Sequence, residues 1–208
     1  MAEATRIVAI RHGQTAWNAE YRLQGQIDIP LDPVGRRQAA RLADALRDEG
    51  LSAVIASDLD RAWQTAQALA EPLGLPLSPD PGLRERCFGV FEGQTRQQID
   101  QQSPALARRW HSRDPDFAPA GAESLRVFYA RVIAAVEHLV VAHAGRTIAL
   151  VSHGGVLDCL YRAATRTSLE APRSWALGNA AINRLLHTPQ GFMLVGWDDA
   201  GHLAALET

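Results

Sequence analysis

The chain has 208 residues, a length that suits one sizeable domain and is short for two. Its formal net charge of −2 gives no strongly basic surface, so we expect no nucleic-acid partner. All 21 basic side chains are arginine, and the lack of lysine excludes a Walker A motif. The two cysteines indicate a reduced chain, and no long apolar segment begins it, so we expect a cytoplasmic protein without a membrane partner.

The first predicted strand runs directly into an Arg-His-Gly motif. An apolar run at residues 7–10 predicts a buried strand, and Arg11, His12 and Gly13 follow it. Residues 16–31 show no clear period and are predicted to form a loop over a pocket. The hydroxyl of Thr15, just before this loop, suits either a bound ligand or the cap of a helix.

Capping residues mark the first long helix. Asp32 suits the N-cap and Pro33 the first helical position. An apolar stripe of helical period follows, and Gly50 is predicted to end the helix. Residues 53–56 then form a second short buried strand.

The next helix carries a candidate phosphate ligand. Ser57 is predicted to cap this helix, and Arg61 falls in its first turn. Since helical side chains lean toward the N-terminus, the guanidinium of Arg61 should point back to the end of the second strand. The alternative is a solvated surface arginine.

A charged and aromatic loop at residues 83–93 interrupts the regular pattern, and such loops often carry function. Glu85 could supply a proton to a leaving group. Glu92 competes for that role, and its alternative is a structural hydrogen bond or a solvated carboxylate. Residues 96–110 are predicted to be helical, and residues 114–121 to form a surface loop.

The second half repeats the pattern of strand, histidine and glycine. The strongest predicted helix covers residues 123–142, and a strand at 147–152 ends at His153 and Gly154. The remaining predicted elements are a helix at 156–164 and a hairpin of residues 180–187 and 192–197.

Strands that alternate with helices predict an α/β fold with a mostly parallel central sheet, which the closing hairpin makes mixed. We expect one domain over residues 1–208. In an open parallel sheet, ligands bind beyond the carboxyl ends of the strands. His12 and His153 should therefore face one pocket, although about 140 residues separate them.

The chemistry of that pocket favours phosphate. Two guanidinium groups, on Arg11 and Arg61, match the oxygens of a phosphoryl group. A neutral imidazole can attack phosphorus while the arginines neutralise charge on the oxygens. Two histidines alone would suit a metal ion, but two cations beside them favour an anion, so we expect no metal and no cofactor.

The motifs resemble those of the histidine phosphatase superfamily, the phosphoglycerate mutase-like proteins. Arg11-His12-Gly13 with Thr15, Trp17 and Asn18 is similar to the leading signature of this family. Similar blocks follow in order along nearly the whole chain: LQGQIDIPLDPVGRRQA, SDLDRAWQTA, LRERCFGVFEG, PAGAESL, VSHGGVL and NAAINRL. The resemblance implies a three-layer α/β/α fold and a phosphohistidine mechanism without metal.

The resemblance also implies roles for individual residues. His12 would be the nucleophile and Glu85 the acid and base. The expected phosphoryl ligands are Arg11, Arg61 and His153. The expected phosphate or substrate contacts near the pocket mouth are Asn18, Gln24, Gly25, Thr15 and Gly154.

We therefore predict a phosphomonoesterase that acts on a small phosphorylated metabolite. The alternative within the family is a cofactor-dependent phosphoglycerate mutase, although the mutases that the resemblance suggests are longer, with extra segments over the pocket. A non-catalytic phosphate-binding relative is a third alternative, and the intact motif residues argue against it. A homodimer is the oligomeric state that the resemblance suggests, and the substrate stays open.

Overall fold

The computed structural model describes residues 4–206, and its centre is a six-stranded sheet. The strand order is β3-β2-β4-β1-β5-β6. The first four strands of that order pair in parallel, and the last two, β5 and β6, are antiparallel to their neighbours. The strands are β1 (Thr5–Arg11), β2 (Leu51–Ala56), β3 (Leu77–Pro79), β4 (Thr147–Ser152), β5 (Ile182–Thr188) and β6 (Gly191–Asp199).

Helices cover both faces of this sheet. They are α1 (Ala16–Ala19), α2 (Pro33–Ala45), α3 (Asp60–Leu73), α4 (Arg96–Gln102), α5 (Pro104–His111), α6 (Leu125–Ala142) and α7 (Gly154–Thr165). Helices α6 and α7 pack on one face of the sheet, and α2 and α3 pack on the other. The predicted three-layer α/β/α fold with a mixed sheet is therefore confirmed.

The alternation of side chains along the strands produces two separate cores. On β1, Ile7 and Ala9 pack toward α6 and α7, whereas Val8 and Ile10 pack toward α2 and α3. Because successive side chains of a strand point to opposite faces, both faces of a central strand must be apolar. This explains the continuous apolar runs of the sequence.

Some predicted boundaries were wrong. Helix α2 begins as predicted, with Asp32 as N-cap, but it ends at Ala45, and Gly50 lies beyond a further turn. The N-cap of α3 is Leu59, so Ser57 does not cap it. Ser103 separates two helices where the sequence predicted one, because the following proline starts a new helix.

The 16–31 segment, predicted as a loop, contains the single helical turn of α1. Among residues 4–206, none of the helices combines the length and the apolar character that a membrane span requires.

Ile148 of β4 tests the contribution of the core. Its side chain is fully buried between the sheet and α6, so Ile148→Ala should leave a cavity and lower the free energy of unfolding by about 2–5 kcal/mol. Val141 of α6 is 76% exposed, and Val141→Ala should change the free energy of unfolding by less than about 0.5 kcal/mol. Urea titration measures both variants, and equal losses would contradict the assignment of the core.

Candidate active site

The register of the sheet places the two motif histidines side by side. In the parallel pair β1 and β4, Arg11 lies opposite Ser152. The next residues therefore leave the sheet together: the amide of His12 donates to the carbonyl of Ser152 at 2.8 Å. The ring centroids of His12 and His153 are 5.2 Å apart. The strand ends thus bring together two imidazoles from distant parts of the chain.

His12 is held in one tautomer. Its Nδ1 lies 2.7 Å from the carbonyl oxygen of Gly13, which can only accept, so Nδ1 carries the proton. Nε2 therefore keeps its lone pair. Burial, with added repulsion from Arg61 and Arg11, lowers the pKa of His12 well below its usual range. The imidazole is neutral and has the lone pair that a nucleophile needs.

Ser57 orients the second histidine, a role that sequence reasoning missed. Its Oγ lies 2.8 Å from Nε2 of His153 and accepts from the amide of Leu59. Because the Ser57 oxygen accepts from this amide, its hydroxyl can donate its proton to Nε2 of His153. Nε2 is then the unprotonated nitrogen of the ring, so Nδ1 carries the proton. Among the described residues this buried Nδ1 has no hydrogen-bond partner. Burial lowers the pKa of His153 well below its usual range, so this ring is also neutral.

Backbone carbonyls hold the two arginines. Arg61 is buried in the first turn of α3 and donates to the carbonyls of Gly25, at 2.7 Å, and Ile27, at 3.0 Å. Arg11 donates to the carbonyl of Leu177 from the far side of the site. These neutral acceptors orient both guanidinium groups but leave their charges uncompensated.

The site therefore carries buried positive charge. Within residues 4–206, neither Arg11 nor Arg61 forms an ion pair, and the buried Nε atom of each lacks a hydrogen-bond partner. Burial lowers the pKa of Arg11 to about 10 and also lowers that of Arg61. Unsatisfied donors on two cations beside neutral imidazoles are suited to an oxyanion.

Backbone amides hold the carboxylate of Glu85 in the site. Its Oε1 accepts from the amide of Arg86 at 2.8 Å, and its Oε2 accepts from the amide of Gly155 at 3.0 Å. A Cβ at position 155 would approach Oε1 to 2.1 Å, so only glycine leaves room for this carboxylate. Glu85 is thus held near His153, at the start of α7.

Glu92 has a structural position. Its Oε1 accepts from the amides of Gln26, at 3.0 Å, and Phe88, at 2.9 Å. The carboxylate also fills the space beside Gly25, whose φ of +53° is suited to glycine. Glu92 therefore joins the two loops that present Glu85 and Gly25.

The polar residues after the leading motif form one network. Thr15 caps α1, and its hydroxyl also contacts Gln24 at 3.0 Å. Asn179, which sequence reasoning left without a role, donates to the carbonyl of His12 at 2.9 Å and to Asn18 at 3.3 Å. Its only sequence signal was its place in the closing NAAINRL block.

A cavity of about 630 Å³ opens over the site. Eight of the ten predicted site residues line it directly: Arg11, His12, Asn18, Gln24, Gly25, Arg61, Glu85 and Gly154. The two that do not are His153, which lies behind His12, and Thr15, which supports Gln24. Sequence reasoning missed further cavity residues from α7 and the loop after it, among them Asp158, Arg173 and Trp175.

The comparisons with known proteins identify the family. The sequence profile of the histidine phosphatase superfamily (branch 1) matches residues 7–200. The chain belongs to the histidine phosphatase superfamily. The resemblance inferred from the motifs is confirmed.

Similar proteins carry both phosphatase and mutase names. Phosphoglycerate mutase-like protein 4 of Arabidopsis thaliana is 36% identical, over 95% of this chain and 86% of that protein. Probable phosphoglycerate mutase GpmB of Yersinia pestis is 34% identical, over 97% of this chain and 95% of that protein. A solved mycobacterial glucosyl-3-phosphoglycerate phosphatase is 33% identical, over 95% of this chain and all of that one, with a TM-score of 0.84.

Proposed function

We propose that this member of the superfamily is a metal-independent phosphomonoesterase that works through a phosphohistidine on His12. The observation that carries the proposal is a neutral imidazole, with Nε2 available, beside two guanidinium groups without an ion pair among the described residues. The substrate class is a small phosphorylated metabolite that fits a cavity of about 630 Å³.

In the first step, Nε2 of His12 attacks phosphorus, and the P–N bond forms as the bond to the leaving oxygen breaks. Arg11 and Arg61 stabilise the charge on the transferring oxygens, and Nδ1–H of His153 adds a neutral donor. Protonated Glu85 gives its proton to the leaving oxygen. The leaving alcohol then departs.

In the second step, water enters on the side that the alcohol has left. Glu85, now a carboxylate, accepts a proton from this water as its oxygen attacks phosphorus. The P–N bond breaks, and its electron pair returns to Nε2 of His12. Inorganic phosphate leaves, and Glu85 is protonated again for the next cycle.

A cofactor-dependent mutase is the second candidate, because curated relatives carry mutase names. A mutase must keep water from its phosphohistidine and return the phosphoryl group to a bound intermediate. Here the cavity wall includes the exposed side chains of Arg96 and Arg173, so the site is accessible to water. The name of the solved mycobacterial relative also supports hydrolysis.

Trapping the intermediate tests the proposal. Brief reaction with a labelled phosphate monoester in excess chelator should leave an acid-labile, base-stable phosphoryl group on His12, because phosphoramidates have that stability. His12→Ala should lose the label and nearly all turnover. Label on His153 or on an acid-stable residue, or a rate that needs added metal, would contradict the mechanism. Transfer of the label to phosphoglycerate faster than to water would instead establish the mutase.

The acid role of Glu85 predicts a dependence on the leaving group. Nitrophenolate is a stable anion, whereas an alkoxide must be protonated as it leaves. Glu85→Gln should therefore slow phosphorylation by alkyl phosphates roughly 10²–10⁴-fold and affect nitrophenyl phosphate much less. Burst kinetics separate this step from hydrolysis of the intermediate.

Glu92→Gln is the matched control in the same loop. It preserves an oxygen acceptor for the amides of Gln26 and Phe88, so it should show no dependence on the leaving group. Equal slowing of both ester types in Glu85→Gln would make Glu85 a positioning residue. A dependence found only in Glu92→Gln would move the acid role to Glu92.

A further inference from the structure

The cavity continues beyond the phosphoryl site along one face of α7. Gly154 and Gly155 line it at the start of this helix, and Asp158 and Cys159 line it one turn later. Residues four apart lie on the same face of a helix. Since Glu85 accepts from the amide of Gly155, this wall begins on the side where the leaving oxygen would be protonated.

Asp158 presents an unused acceptor in this wall. Its Oδ2 accepts from Arg162 at 2.9 Å and lies 3.4 Å from Arg113. Its Oδ1 is buried and has no hydrogen-bond partner among residues 4–206. The residue is only 8% exposed, so leaving this oxygen without a partner is costly.

Trp175 presents an unused donor in the same wall. Its indole stacks on Tyr161, with ring centroids 4.0 Å apart, and its buried Nε1 has no partner in the described part of the chain. The guanidinium of Arg162 lies over the Trp175 ring, 4.8 Å from its centroid. Arg162 therefore contacts both Asp158, through Oδ2, and the ring of Trp175, so the two side chains lie beside one guanidinium group.

We infer that Asp158 and Trp175 form a subsite for a hydroxyl group on the leaving alcohol of the substrate. The inference rests on the proposed phosphatase function, because it locates the leaving group on the Glu85 side. A hydroxyl both donates and accepts, so it can pair with Oδ1 of Asp158 as a donor and with Nε1 of Trp175 as an acceptor. The substrate class is then a phosphorylated polyol or sugar.

The charges around the subsite disfavour the main competitor, an ammonium group. Oδ2 of Asp158 already faces Arg162 and Arg113, and Arg173 adds a further positive charge to the cavity wall. An ammonium group bound there would be repelled by the guanidinium groups of these three arginines. The one carboxylate beside it, on Asp158, already pairs with two of them. An apolar group would leave both polar atoms without partners. A neutral hydroxyl avoids both costs.

Matched substrates test the inference. Glycerol 1-phosphate and glucose 6-phosphate would each be compared with their singly deoxygenated analogues, and with analogues in which one hydroxyl is replaced by an ammonium group. In at least one series, removal of one particular hydroxyl should lower kcat/KM about 3- to 10-fold or more, which is the net effect of losing a hydrogen bond. The ammonium analogue at that position should be no better than the deoxy analogue.

Two variants test whether Asp158 and Trp175 cause this preference for a hydroxyl group. Trp175→Phe removes the N–H but retains an aromatic ring over Arg162. In Asp158→Asn, the amide oxygen should turn to the two arginines, so an NH2 donor replaces the unpaired acceptor Oδ1. Both variants should bring the hydroxyl-to-deoxy ratio of kcat/KM close to one.

Trp197→Phe is the matched control. Its indole also packs on Tyr161, at 4.9 Å, but its Nε1 already donates to the carbonyl of Ala176 at 2.8 Å, and the ratio should not change.

A hydroxyl preference that survives both Trp175→Phe and Asp158→Asn would overturn the inference, as would equal rates for all deoxy analogues or a faster ammonium analogue. Failure of the phosphatase function itself is distinguishable, because nitrophenyl phosphate would then give no phosphohistidine in the unmodified protein.

Discussion

The site depends on positive charge that is buried at the ends of two parallel strands. Arg11 and Arg61 lie beside two imidazoles whose pKa values are lowered, and among residues 4–206 no carboxylate pairs with either guanidinium. Burial of a charge without a partner is unfavourable, and the surrounding fold must offset its cost. Burial and, after it, these charges keep His12 unprotonated, so the arrangement that costs stability also leaves this imidazole neutral. A bound phosphoryl group would supply the missing negative charge.

Backbone groups from several loops maintain this arrangement. The arginines donate to the carbonyls of Gly25, Ile27 and Leu177, and the amides of residues 86 and 155 donate to Glu85. Backbone partners orient charged side chains without neutralising them, so the electrostatic potential of the site is preserved. Glu92 illustrates the distinction: this carboxylate in the same loop joins two segments, whereas Glu85 is the carboxylate that we propose as the acid.

Local sequence patterns predicted the elements that depend on local physics. Apolar runs, helical period and the Asp32-Pro33 start signal placed the sheet and the main helices, and the strand ends placed His12 and His153 together. The unpredicted contacts follow no local pattern: Ser57 contacts His153 and Asn179 contacts His12 from distant parts of the chain, and the 166–181 loop folds back on α7, which precedes it. No periodicity encodes such contacts, because they depend on how loops pack over the finished sheet. The Asp158 and Trp175 pair belongs to this class.

The protonation state of His12 tests the account most directly. Nuclear magnetic resonance of histidine-labelled protein, with His12→Asn to assign the signal, would follow the imidazole as the pH is lowered. The account predicts a neutral ring, with the proton on Nδ1, at pH values well below the usual midpoint of about 6.5. Replacing Arg61 with methionine should raise the midpoint, since removal of a nearby positive charge favours the protonated form. A midpoint at or above about 6.5 in the unmodified protein would contradict it.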